Sequence, residues 1–251
     1  MSKPHVFIAT PAFSGKVNVQ YAISLADTKV LLESNSIQVS TRICASGSLL
    51  VAERNRLLEA FWQSDATHIL CIDSDLGWPP LAVMAMLETD KEIVAGLYPA
   101  RGSTKEFIFR PQTNPNGSLV TDKHLIKMEY IPAGFMLIKR EAIAKMRDAL
   151  PELYYSPKDP RSDKESTYCL FNTEVWNGEF WGEDYIFCRN ATTVGIDIWV
   201  DPYIQFDHNG TIGMFHEVLT QENPNKSKQE GIIDIEATTP EGVTADISTP
   251  E

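Results

Sequence analysis

Asp73, Ser74 and Asp75 follow the apolar run Ile69-Leu70-Cys71-Ile72 without a break. Two carboxylates two residues apart at the end of such a run stand at the edge of a core, where like charges are costly unless a cation neutralises them. A hard divalent ion, Mg²⁺ or Mn²⁺, meets that need. Such ions take one or two carboxylates from the protein and complete their shell with water and phosphate oxygens. The competing reading is a solvated acidic turn that caps the helix starting near Pro79.

Three further places carry residues of the right chemistry. Arg54 falls four residues after Leu50 and four before Leu58, on the apolar face formed with Leu57 and Phe61, so its guanidinium must find a partner or snorkel to solvent. Glu53 and Glu59 are candidate partners, and a phosphate or a base edge is the alternative that suits its planar donors. Glu183 and Asp184 follow Gly182 at the expected start of a helix, where unpaired N–H groups and the helix dipole stabilise carboxylates. Capping accounts for such a position, and a fixed carboxylate also suits a general base. His208, in Asp207-His208-Asn209-Gly210, is a candidate third metal ligand beside an ordinary structural role, with His216 as a substitute. Gly134 offers either a tight turn or a close backbone approach. Trp176, Phe180 and Trp181 suit stacking on a sugar face or plain packing.

The elements that must position these residues read as β-α-β-α-β through the first third. Strands are expected at His5 to Thr10, Ser36 to Ile43 and His68 to Ile72, with helices from Asn18 to Glu33 and, begun by Gly47-Ser48, from Leu49 to Gln63. The consecutive apolar positions of His68 to Ile72 suit a parallel strand buried on both faces. Beyond it, a helix over Leu81 to Leu87, a strand over Glu92 to Leu97, a loop-rich stretch from 101 to 124, strands at Met128 to Ile131 and Phe135 to Ile138, and a helix over Glu141 to Leu150 are expected. An irregular aromatic segment, 151 to 180, precedes a helix from Gly182 to Val194 and a strand from Asp197 to Val200. Alternation of this kind predicts an α/β fold with a mostly parallel central sheet flanked by helices, binding its ligands beyond the carboxyl ends of the strands.

Bulk properties narrow the field. A chain of 251 residues with 43% hydrophobic content supports one substantial core, expected over residues 1–221. From Glu222 onward seven acidic residues stand against Lys226 and Lys228, and this 222–251 tail is expected to be disordered. A formal net charge of −12 with no basic cluster gives no strong nucleic-acid signal. Cys44, Cys71, Cys169 and Cys188 form no CxxC pair and read as reduced thiols. With no leader-like run and no stretch of membrane-spanning length, the expected location is the cytoplasm. Oligomeric state has no sequence signal.

Thr10-Pro11 after the first strand, Cys71-Ile72-Asp73-Ser74-Asp75 after the third and Gly182-Glu183-Asp184 later resemble the GT-A-fold glycosyltransferases, especially the large family-2-like group, over residues 5 to 210. The resemblance implies a GT-A, Rossmann-like nucleotide-diphospho-sugar transferase. In it Asp73-Ser74-Asp75 is the DxD element, with Asp73 toward the nucleoside and Asp75 on a Mn²⁺ or Mg²⁺ ion that bridges the phosphates. Thr10 and Pro11 would hold base and ribose, Arg54 would contact the nucleotide, and Gly134 and Trp181 would lie near donor sugar or acceptor. Asp184, with Glu183 second, would be the base of an inverting transfer, and His208 a metal ligand. A UDP-sugar is the donor by family frequency, and a glycan or other hydroxyl-bearing molecule the acceptor. Two other readings stand beside it. A sugar-phosphate nucleotidyltransferase would want a Gly-rich basic loop where Ala12-Phe13-Ser14-Gly15-Lys16 stands, and a catalytically silent nucleotide-sugar or carbohydrate-binding protein would need no base.

Overall fold

In the computed structural model the elements run β1 (His5–Pro11), α1 (Val19–Ser34), β2 (Gln38–Cys44), α2 (Leu50–Trp62), β3 (His68–Ile72), β4 (Leu76–Gly77), α3 (Leu81–Glu88), β5 (Ile93–Gly96), β6 (Arg110–Pro111), β7 (Thr121–Asp122), β8 (Leu125–Tyr130), β9 (Phe135–Lys139) and α4 (Arg140–Ala149). They continue with a 3₁₀ turn (Pro151–Leu153), β10 (Tyr154–Tyr155), β11 (Thr167–Tyr168), β12 (Glu174–Trp176), β13 (Glu179–Trp181), α5 (Glu183–Thr193), β14 (Ile198–Asp201), β15 (Gln205–His208), β16 (Thr211–Met214) and α6 (Phe215–Gln221). The structure describes residues 3–13, 15–45, 49–156 and 166–221. The helix start expected at Gly47-Ser48 and the acidic tail 222–251 lie outside them.

The central sheet has the order β2-β1-β3-β9-β5-β14-β8-β6, with β7 also on β8. β1 is parallel to β2 and β3, and β5 is parallel to β14. β9 is antiparallel to both β3 and β5. The strands β2, β1, β3, β5 and β14 therefore run one way, and their carboxyl ends share an edge. This is the expected mixed α/β architecture, a large, mostly parallel sheet flanked by helices.

Alternation along each strand divides the core between two faces. Val6, Ile8, Leu70, Ile72 and Val94 meet Tyr21 and Leu32 of α1 and Val83 and Met86 of α3. Phe7, Ala9, Ile69, Cys71 and Ala95 meet Leu57, Leu58 and Phe61 of α2, Ile143 of α4 and Phe187 of α5. Each fully enclosed aliphatic side chain contributes about 1.5–3 kcal/mol relative to an exposed one, which offsets the polar groups held at the sheet edge. β2, on the sheet margin, is exposed or half-buried throughout, so its Ile, Val and Thr content serves pairing with β1 more than core burial.

Two refinements of the expected elements matter for the site. Leu50 is 44% exposed, so the inward stripe of α2 starts a turn later, at Glu53 and Arg54. The strands on either side of Pro132-Ala133-Gly134 part company: β8 pairs with β14, while β9 inserts between β3 and β5 with Phe135 opposite Ile72. That insertion brings Gly134 beside Asp73, whose N–H donates to the Gly134 carbonyl at 2.9 Å.

Candidate active site

A cleft of about 500 Å³ opens beyond the carboxyl ends of β3 and β5, lined by Asp73, Tyr98, Arg101, Ile108, Pro132, Gly182, Asp184, Tyr185 and His208, with Pro99 and Ala100. This is where a sheet of this topology is expected to bind ligands. Arg101 and Ile108 bring the loop-rich segment after β5 into its wall.

Arg54 enters from beneath. It is 4% exposed; its Nη2 donates to Asp73 Oδ1 at 2.9 Å, its Nη1 reaches the Ala133 carbonyl at 3.5 Å, and its guanidinium lies over the Phe171 ring. Nε lies 3.5 Å from Glu183 Oε1 and has no hydrogen-bond partner. Burial disfavours the guanidinium charge, but Asp73, Asp184 and Glu183 outweigh it and hold the group more firmly protonated than usual. The alternative partners are occupied elsewhere, Glu53 by Arg56 and Glu59 by Arg147. The guanidinium thus joins the two acidic segments that sequence reasoning singled out separately.

Asp184 stands in the first turn of α5 after the N-cap Gly182, and its Oδ2 accepts from the Ala133 N–H at 3.3 Å. Burial and then the neighbouring Glu183 charge push its carboxyl up to about 6, against the opposing pull of Arg54. Such a group is ionised at neutral pH yet basic enough to take a proton.

Asp75 and His208 are joined by a small sheet, β16-β15-β4. The two residues of β4 directly follow Asp75 and pair with β15, setting His208 opposite Leu76, and the Asn209 N–H donates to the Asp75 carbonyl at 3.2 Å. β15 and β16 turn through Asn209 and Gly210, both at positive φ (56° and 87°), the pairing of a two-residue hairpin turn. His208 Nδ1 lies 2.7 Å from the Pro99 carbonyl, and Nε2 is 3.4 Å from Asp75 Oδ2. Burial opposes the imidazolium, but hydrogen bonds to Asp75 and Pro99 prevail and raise its pKa. Asp75 is held below the usual carboxylate range by its hydrogen bond to His208 and by Arg101, against a burial cost. Arg101 Nη2 pairs with Asp75 Oδ2, and its Nε donates to His208 Nε2 at 3.3 Å.

Gly134 is not needed for a left-handed turn. A Cβ there would fall 2.2 Å from the Tyr98 hydroxyl and 2.5 Å from Asp73 Oδ2, so the requirement is close approach to the site. Tyr98 itself is held well above its ordinary pKa by burial and by the charges of Asp73 and Asp184, keeping its hydroxyl a donor.

The remaining expected residues stand apart from the cleft lining. Thr10 is fully buried with its hydroxyl on Tyr21 at 2.6 Å, and Pro11 ends β1 in the core. Ser74 turns its carbonyl to the Asn18 N–H at the head of α1. Trp181 packs edge-on against Tyr130, Trp176 and Tyr185 and lines a second cleft with Arg189. Phe171 is core, stacked on Phe187, while Trp176 and Phe180 ride an exposed hairpin. His216 stacks on Tyr203. Tyr98, Tyr185 and Arg101 were not anticipated; only their place after β5 or at the head of α5 hinted at them.

For a divalent ion, Asp75 Oδ2 and His208 Nε2 converge, and the contact of Nδ1 with a backbone carbonyl is the usual orienting partner of a metal-binding histidine. Asp73 pairs through Oδ1 with Arg54, and among the described residues no three His, Cys, Asp or Glu side chains gather as ligands. Two protein ligands with the rest supplied by phosphate and water fit Mg²⁺ or Mn²⁺.

No family model and no curated protein sequence matches the chain. Among solved structures, S. aureus TarS 1-349 is similar at 14% identity and a TM-score of 0.43, over 86% of this chain and 63% of that one. GalNAc-T7, solved with UDP, GalNAc and Mn²⁺, is similar at 11% identity and a TM-score of 0.43, over 82% of this chain and 44% of that one. TarS and GalNAc-T7 are GT-A-fold glycosyltransferases. The inositol-1-phosphate CTP transferase of T. maritima is similar at 8% identity and a TM-score of 0.39, over 80% of this chain and 85% of that one. The chain thus spans less than two thirds of TarS 1-349 and less than half of GalNAc-T7.

Proposed function

We propose that this chain is a glycosyltransferase that moves a sugar from a nucleoside-diphosphate donor, with UDP as the working choice, to an acceptor hydroxyl, with inversion and with a divalent ion. The observation that carries the reading is the sharing of one cleft by Asp184, with its carboxyl raised to about 6, by Asp73 and by His208 paired to Asp75.

Asp184 would take the proton of the acceptor hydroxyl. The hydroxyl oxygen would bond to the anomeric carbon as the bond from that carbon to the β-phosphate oxygen breaks, its electron pair leaving with the diphosphate. A divalent ion between Asp75 and His208 would stabilise the negative charge of the departing diphosphate. Arg54 fixes Asp73 for the nucleoside side and, through Glu183, ties that wall to the base. The four free cysteines support a reducing compartment such as the cytoplasm. No helix among the described residues is long and apolar enough to cross a membrane.

The test is thermal stabilisation by a panel of nucleotide sugars with and without Mn²⁺, followed by transfer or donor hydrolysis. Asp75→Ala should weaken metal-dependent donor binding, and Asp184→Asn should abolish turnover with donor binding intact. Full activity in both variants would defeat the assignment. Pyrophosphate release from a nucleoside triphosphate and a sugar 1-phosphate would favour a nucleotidyltransferase instead, and donor binding without any turnover a silent binding protein.

A further inference from the structure

Asp75 Oδ2 and His208 Nε2 stand 3.4 Å apart. The Nδ1 contact with the Pro99 carbonyl places a proton on Nδ1, which leaves Nε2 as the ring atom that faces the carboxylate. A positive charge can be placed against both atoms at once. Among the described residues Arg101 supplies it: Nη2 on Asp75 Oδ2 and Nε on His208 Nε2. These are the same two atoms that would hold a divalent ion.

The Arg101 side chain is 68% exposed, and the backbone on either side of it is anchored. Ala100 N–H donates to the Glu106 carbonyl at 2.7 Å, closing the loop at its neck, and Gly102 N–H donates to Thr211 Oγ1 at 3.0 Å, tying it to β16. Gly213 meets the Thr104 carbonyl so closely that a Cβ would come within 3.3 Å. The root is therefore fixed on the sheet that carries His208, while the guanidinium, on an exposed side chain, is held by Asp75 and His208. A guanidinium and a divalent ion cannot occupy the same few ångströms, because their charges repel and each needs the same lone pairs.

We propose that Arg101 is a built-in competitor for the metal seat: it occupies Asp75 and His208 until a divalent ion displaces it. This rests on the metal-binding reading above. It makes metal loading an exchange of one cation for another.

Mn²⁺ binding to the full chain, followed by loss of the free-ion electron paramagnetic resonance signal, tests it without any turnover. Arg101→Gln should bind Mn²⁺ about fivefold more tightly than the unaltered chain, the weight of one partly exposed ion pair. Lys105→Gln, which removes the same charge from the same loop, should change the affinity by less than twofold. The double variant Arg101→Gln/Asp75→Asn should lose the gain. Equal or weaker binding by Arg101→Gln, or an equal gain in Lys105→Gln, would overturn the competition while leaving the metal reading standing. No Mn²⁺ binding by either the unaltered chain or Arg101→Gln would overturn both.

Discussion

Asp73 and Asp75 are two residues apart, and each is paired with an arginine, yet the two pairs are opposites. Arg54 reaches Asp73 from inside the core, nearly inaccessible, and shares itself with Glu183. Arg101 reaches Asp75 from a loop and is mostly exposed. Removing one partner of a buried pair strands a charge in a poor solvent, whereas an exposed pair is largely replaced by water. The first pair is architecture and the second is exchangeable, although the sequence writes them with the same residue types.

The sharpest way to break that contrast is Arg54→Ala. It should cost about 3–5 kcal/mol in denaturant unfolding, because Asp73, Glu183 and Asp184 lose their common cation; a loss under 1 kcal/mol would erase the distinction. Next comes Asp184, the proposed base, whose charge Arg54 favours. With its carboxyl raised to about 6, Asp184 is protonated and idle below that pH, so kcat/KM should rise with pH through about 6 and then level off. Asp184→Asn should lower the rate by about 10²–10⁴-fold and flatten that limb. Because ionising Asp184 is disfavoured in the fold, Asp184→Asn should not lower the melting temperature at pH 7.5. Gly134→Ala pushes a methyl group against Tyr98 and Asp73 and should cost about 1–3 kcal/mol by thermal unfolding. The smallest effect belongs to the exposed pair: Arg101→Ala should change stability by less than about 1 kcal/mol, and a larger loss would make it architecture too.

The central sheet was legible because its signals are local. The run His68 to Ile72 is apolar at consecutive positions and buried on both faces, and β3 has the expected limits. Asp73 to Asp75 and Glu183-Asp184 were placed by the same means, as the residues that follow a strand and begin a helix. The partners of these residues were not legible, since pairing across the fold leaves no period. Arg54 meets Asp73 and Glu183 rather than a neighbour on its own helix. β4 has two residues, too few to alternate, so the small sheet that joins Asp75 to His208 was missed. Its one local trace was Asn209-Gly210, a hairpin signal of the kind repeated at Asn177-Gly178. Arg101 had no signal of its own beyond lying past β5.

The same small sheet bears on the order of assembly. Asp75 emerges early in synthesis and His208 late, and the β4–β15 contact that unites them waits for nearly all of the central sheet. Such long-range closure is slow relative to local helix formation. A partly made or partly unfolded chain would hold Asp75 without its histidine, so the proposed metal seat is complete only when the final hairpin has docked.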